Sequence, residues 1–264
     1  MATKDDLARL RTPPPDFRRL VVRSVAELTP HLRRVTLGGE GLDGIELDAP
    51  AASVRILVPE PGADELVLPT WQGNEFRYDD GARPSIRTFT PRAHDAAARE
   101  LAIDVVDHPG GVVSSWARTA RPGDQVALSG PGRGYELDAG AVGHVLAGDE
   151  TALPAIAQLV AAIPDGTPVR AIVEVRDDSA RLPELDAAAE RRAEVEVEWL
   201  VAGERGEALV GALRAVPIEA TTAVWVAGEA AVMQAVRGVL RDERDVERSR
   251  TTVRGYWKDR SPAG

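Results

Sequence analysis

The pattern of this 264-residue chain changes once, near residue 140, and that change constrains the fold more than any other feature. Before it come short, valine-rich segments separated by Gly, Pro and Asp turns: FRRLVVRSV (17–25), HLRRVTLGG (31–39), SVRILVP (53–59), SIRTFT (85–90), LAIDVVDH (101–108) and DQVALSG (124–130). Six strands without intervening helices predict an antiparallel six-stranded barrel or sandwich. After residue 140, strands and helices alternate. HVLAGDE (144–150), PVRAIVEV (168–175), EVEVEWLV (194–201), TAVWVAGE (222–229) and RTTVRGYW (250–257) have strand patterns. TALPAIAQLVAAI (151–163), a weaker LPELDAAAERR (182–192), EALVGALRAV (207–216) and AAVMQAVRGVLRDE (230–243) have helical ones. That alternation predicts an open, Rossmann-like parallel α/β sheet with helices on both faces. The expected organisation is a polar lead-in over 1–16, a β-barrel domain over 17–138 and an α/β domain over 139–264, joined within GYELDAGAV (134–142). Residues 60–84 are expected to form a long loop, and RDERDVERSR (241–250) a solvated helix end.

Charge and composition then exclude several functions. The formal net charge is −10, a field that repels nucleic acid and anionic lipid. Cysteine is absent, which removes disulfides, thiol nucleophiles, iron–sulfur clusters and cysteine zinc sites. Any electron chemistry must therefore run on a bound cofactor. No apolar run reaches the roughly 18 residues of a membrane span. The first residues have no apolar signal core, so a cytoplasmic setting is expected. The four histidines, at 31, 94, 108 and 144, lack metal-ligand spacing, and no metal site is expected. There is no G-x-S-x-G elbow and no Walker loop.

Four stretches have the residue types of a ligand site. LAGDETALPAI and VAGEAAVMQAV each end a strand and open a helix, where ligands of open α/β sheets bind. Either one alone is most simply a helix cap by Asp149 or Glu229; two on neighbouring strands favour a shared ligand cleft. GPGRG (130–134) follows a strand, but no helix follows it, so it is a turn rather than a dinucleotide fingerprint. In DHPGGVVSSWART (107–119), two glycines and two serines lead into a short helix, a pattern that cradles phosphate oxygens or simply makes a serine-capped turn. In RPSIRTFTPR (83–92), strand geometry puts Arg87 and Phe89 on one face, Thr88 and Thr90 on the other. Such a strand offers a guanidinium fork for phosphate and a ring for a flat heterocycle; taken alone, it is more simply a polar edge strand ended by Pro91.

Together these segments resemble the siderophore-interacting protein family, flavin-containing ferric-siderophore reductases related in architecture to ferredoxin–NADP reductases. The resemblance covers about residues 17–258. It rests on LTPHLRRVTLGGEGL (28–42), RPSIRTFTPR, HPGGVVSSWA (108–117), GDETALPAI (148–156), WVAGEAAVMQAVRGVLRDE (225–243) and RGYWK (254–258), in the family's order and spacing. It implies a flavin-binding antiparallel barrel followed by a nicotinamide-nucleotide-binding α/β domain, with FAD as cofactor and NAD(P)H as donor. By the same resemblance Arg87 holds the flavin diphosphate, with Thr88 on the same strand; Phe89 stands where tyrosine usually packs on the isoalloxazine, and Thr90 lies near flavin N5. Gly111, Val112, Val113 and Ser114 match the diphosphate-holding turn, flanked by His108 and Trp116. Asp149, Glu150 and Thr151 match the segment facing the flavin and nicotinamide, and Trp257 the C-terminal segment near the flavin. Lys258, with Arg254 and Arg260, is the implied basic group for an anionic ferric siderophore. Val112-Val113 replace a common Pro-Ala, Ser115 a common arginine, and the chain has only two lysines, Lys4 and Lys258.

The implied activity passes electrons from NAD(P)H through FAD to Fe(III), with no side chain required as acid or base. Two other readings stay open: a flavin reductase or diaphorase with another acceptor, with ferredoxin as a possible donor, and a non-enzymatic siderophore- or nucleotide-binding module. The residues say nothing about oligomeric state.

Overall fold

The computed structural model describes residues 15–63, 65–203 and 206–259. The described residues cluster into two compact units, one running over 15–27 and 33–134, the other over 28–32 and 135–259.

The first unit is built on a seven-stranded sheet. Its strands are β1 (Arg18–Thr29), β2 (Leu32–Gly38), β3 (Val54–Leu57), β6 (Arg87–Phe89), β7 (Pro91–Asp95), β8 (Glu100–Val106) and β9 (Gln125–Ser129). Their order is β6-β3-β9-β1-β2-β8-β7. The pairs β1–β9, β3–β9, β3–β6 and β7–β8 run antiparallel. The two edge strands, β6 and β7, are consecutive in the chain and separated only by Thr90. A single residue spans under 4 Å, so the sheet must curl until its two edges meet there. Leu20, Val35, Leu37, Val54, Ile56, Leu101, Ile103, Val126 and Leu128 fill the interior of that curl.

Two expectations change here. The sheet has seven strands rather than six, because Pro91 begins a strand instead of ending one. Proline has no N–H to give, and at the first position of an edge strand none is needed. The segment 60–84 is also not a plain loop. It carries a small antiparallel hairpin, β4 (Thr70–Gln72) and β5 (Glu75–Arg77), with Trp71 opposite Phe76. Phe76 packs edge-on against Phe17, over a satellite core with Leu57 and Leu66. The helix α1 (Val112–Thr119) follows β8, and its buried Val113 and Ala117 join the main core.

The second unit is a parallel sheet of order β12-β11-β10-β13-β14: β10 (Gly143–Asp149), β11 (Val169–Val175), β12 (Val195–Val201), β13 (Thr222–Glu229) and β14 (Thr251–Trp257). The connecting helices are α2 (Leu153–Ala162), α3 (Pro183–Arg191), α4 (Glu207–Ala215) and α5 (Ala230–Gly238). The chain steps outward from β10 through β11 to β12, then crosses back to β13 and β14. Right-handed crossovers therefore put α2 and α3 on one face and α4 and α5 on the other. The second face packs Val145, Ile172, Val224 and Val226 against Leu209, Leu213, Met233 and Val236. The reversal of strand order falls between β10 and β13, whose carboxyl ends are Asp149 and Glu229. α5 runs on into a π-helical turn, Val239–Glu243.

The run 241–250 is more than a solvated helix end. Arg244 Nη1 donates to the Leu213 and Val216 carbonyls at 2.9 and 2.6 Å, closing the end of α4. Arg250 Nη1 donates to Asp138 and to the Thr221 carbonyl. Long arginines reach carbonyls that their spacing along the chain does not reveal.

Candidate cofactor site

In the first unit, register confirms the alternation of β6. Phe89 lies opposite Val54 and Arg87 opposite Ile56, while Thr88 lies opposite Arg55. Phe89 is half-buried and packs on the barrel core; Thr90 is buried. Arg87 and Thr88 are exposed. The Arg87 guanidinium donates to the adjacent Ile86 carbonyl through Nη1 at 2.9 Å. A guanidinium so held keeps most of its donors for an anion.

The turn after β8 settles how α1 begins. Its N-cap is Gly111, no side chain caps it, and its first turn carries no acid. By helix geometry the first amides then have no intrahelical partner. Ser114 is buried within the helix and is not the cap. Its hydroxyl donates to Asp107 Oδ1 at 2.9 Å and accepts the His108 N–H at 3.0 Å. Val113 is buried and Val112 packs on the barrel core, so these residues offer a ligand only backbone. Trp116 packs on the same core as Phe89 and Val112. His108 is exposed, and its ring lies where a Cβ on residue 111 would be, 2.4 Å from the ring Cε1. Only glycine fits at 111 without displacing that ring.

Asp107 has no counterpart among the sequence-derived candidates. Besides Ser114, its carboxylate accepts from Arg118 Nε at 2.8 Å, from Arg118 Nη2 at 2.5 Å and from Arg33 Nη1 at 3.3 Å. The Arg118 guanidinium, first of all, holds the carboxyl well below the usual carboxylate range. The signal for it was an acid directly after a strand, but its arginine partners stand 11 and 74 residues away.

In the second unit, the strand-end residues bind one another. Asp149 Oδ1 accepts the Thr151 N–H at 2.9 Å and the Thr151 hydroxyl at 2.5 Å. Its Oδ2 accepts the Glu229 N–H at 2.9 Å and the Trp257 indole N–H at 2.8 Å. Burial pushes the Asp149 carboxyl up from its ordinary value, against the hydrogen bonds that pull it down. A Cβ at Gly228 would stand 2.7 Å from Oδ2, so only glycine lets the carboxylate lie there. Glu229 caps α5 through the Ala231 and Val232 amides, and its other oxygen accepts the Asp259 N–H. Glu150 is buried and holds Arg176 by Nε, Nη2 and the backbone N–H.

The structure thus joins Asp149, Thr151 and Trp257 in one hydrogen-bonded group and gives Glu150 a separate partner. Trp257 remains 46% exposed. Arg254 is half-buried on β14, Lys258 is exposed just beyond it, and Arg260 lies outside the described residues. Among the described residues, no group of three or more His, Asp or Glu side chains is arranged for a metal, and no helix is long and apolar enough to cross a membrane.

The chain matches known proteins over most of its length. Residues 21–135 match the siderophore-interacting FAD-binding domain, and residues 141–260 match the siderophore-interacting protein model. The chain belongs to the siderophore-interacting protein family. A solved siderophore utilization protein from T. fusca superposes with a TM-score of 0.80 at 33% identity, over 96% of either chain. An NADPH-dependent ferric-chelate reductase of Escherichia coli is 30% identical over 247 residues, 91% of this chain and 92% of that one. The ferric vibriobactin reductase ViuB of Vibrio cholerae is 30% identical over 237 residues, 86% of this chain and 84% of its own length. Membership and the FAD-binding domain make the chain an oxidoreductase. The antiparallel curled sheet and the five-stranded parallel α/β sheet are the architecture expected of that family.

The barrel residues fit FAD. An uncapped helix start without acids, a largely uncommitted guanidinium at Arg87 and a half-exposed aromatic ring at Phe89 are the donor set of an anionic, flat ligand. A serine-capped turn would have spent those amides internally.

Proposed function

We propose that the chain is an NAD(P)H-dependent, FAD-containing ferric-siderophore reductase. Bound FAD supplies the conversion from a two-electron donor to single-electron transfer, so that one NAD(P)H reduces two Fe(III). Iron in the siderophore is substrate: Fe(II) binds hard oxygen ligands far more weakly than Fe(III), and reduction releases it.

The chain's residues bind and orient. Arg87 and the amides of residues 111–114 would hold the diphosphate, Phe89 would pack on the ring system, and Thr90 would offer its hydroxyl to it. On the second unit, the carboxyl ends of β10 and β13 receive the nicotinamide nucleotide, with Trp257 held at that edge by Asp149. Lys258, Arg254 and Arg260 attract the anionic chelate. No side chain has to move a proton in the iron step.

The observation that supports this reading best is the uncapped, acid-free start of α1, within a domain matched to FAD binding. The Escherichia coli and Vibrio cholerae relatives, reductases of ferric chelates by name, support the substrate class. The test is to supply purified protein with NADH or NADPH and a ferric siderophore and to trap Fe(II) with a chelator. Fe(II) forms faster than in a free-flavin control; a rate equal to that control overturns the proposal.

A further inference from the structure

We propose that Asp107 is a positioning residue for the diphosphate of FAD, and that it stabilises the start of α1 from a side that leaves the helix amides open. The proposal rests on the flavoprotein reading above.

A helix start is ordinarily stabilised by a capping side chain that accepts its first amide hydrogens. Such a cap occupies the donors an anion would need. Here Gly111 supplies no cap, and the stabilisation comes from elsewhere. Asp107, the residue leaving β8, reaches across the turn to Ser114 at the third helical position and to Arg118 one turn further. The Ser114 hydroxyl also accepts the His108 N–H, so side-chain bonds close the stretch 107–114 at its base. Arg33, on β2, ties the same carboxylate to the sheet. Three side chains on two elements thus fix one carboxylate, and none of these bonds uses an amide of residues 111–113. The carboxylate is itself neutralised by two guanidinium groups, so its charge does not oppose an incoming phosphate.

Two variants separate positioning from charge. Asp107→Asn removes the negative charge and the arginine pairs; Ser114→Ala removes the hydroxyl and changes no charge. Each is titrated with FAD and with riboflavin, which carries the isoalloxazine but no diphosphate. Both variants weaken FAD by about tenfold or more, the effect of a turn no longer fixed by an internal charge-assisted hydrogen bond, and change riboflavin affinity less than about twofold. Backbone amides of residues 108–115 exchange faster in both. Arg118→Ala, at an exposed position, gives a smaller loss of the same selectivity and serves if either of the other changes prevents folding.

Equal losses for FAD and riboflavin overturn the proposal, because the barrel rather than the turn is then damaged. So does unchanged or tighter FAD binding in Asp107→Asn, which makes the carboxylate a mere opposing charge. A wild-type chain that takes up no FAD overturns the flavoprotein reading and the proposal with it. A wild type that binds FAD but reduces no ferric siderophore overturns the reductase reading alone.

Discussion

Replacing Trp257 by phenylalanine isolates one hydrogen bond whose strength must vary with pH. The indole N–H is one of four donors on the Asp149 carboxylate, at 2.8 Å from Oδ2. A hydrogen bond to a charged group contributes roughly 1.5–3 kcal/mol when shielded. With Trp257 46% exposed, water replaces part of it, which brings the expected loss to about 1 kcal/mol, or roughly 2–4 °C in Tm for a chain of this size. The pH dependence follows from linkage. Burial already raises the Asp149 carboxyl, so the folded chain binds that proton more tightly than the unfolded one, and this group's contribution grows less favourable as pH rises above the ordinary value of 3.8. Deleting the indole donor raises the carboxyl further. The difference between wild type and Trp257→Phe is therefore largest near neutrality and shrinks as pH falls through the folded-state value. Lost ring area contributes equally at every pH and cancels from that slope. Thermal or denaturant unfolding of both chains across this range checks it, with Asp149→Asn as the background on which the pH dependence disappears. A pH-independent difference, or a variant as stable as wild type near neutrality, refutes the reasoning.

Three further outcomes follow. Arg87→Ala weakens FAD by about ten- to a hundredfold in equilibrium titration while leaving riboflavin affinity within about twofold, because the guanidinium acts on the diphosphate alone. Glu150→Gln costs about 1–2 kcal/mol in chemical denaturation, since it strips a buried carboxylate from the Arg176 fork while Arg176 itself stays partly solvated. His144 is buried, and burial holds its pKa below the ordinary value of 6.5. The unfolded chain binds that proton first, so His144 costs stability as pH falls below 6.5, and His144→Gln flattens the stability profile there.

The α/β unit was legible almost residue by residue. Its strands are buried apolar runs, and TAVWVAGE coincides with β13 because both ends are marked, by Thr222 and by the capping Glu229. The barrel was harder. Pro91 looks like a terminator in one dimension and is a valid first residue of an edge strand in three. The hairpin β4–β5 has three residues per strand, too few for alternation to stand out from turns. Although their strand alone reads as a polar edge, Arg87 and Phe89 were singled out as candidate site residues by the family resemblance. Asp107 was not, because its role lies in partners from β2 and α1 that only folding brings together. Asp149 was named correctly as a strand end and Glu150 opens the turn after it, but their polar atoms are turned onto protein donors, which a list of residue types cannot reveal.

The single-residue link at Thr90 has a consequence beyond ligand binding. An open sheet leaves two rows of unpaired backbone groups, and long, flat rows recruit strands from other molecules. Here the two edge strands are only three and five residues long, they meet at one point, and one begins with proline while the other carries Arg87. The same few residues proposed to face the flavin therefore also leave only short, interrupted edges to other copies of the chain. A substitution there that lengthens or flattens an edge can therefore remove protein from solution before it slows any electron.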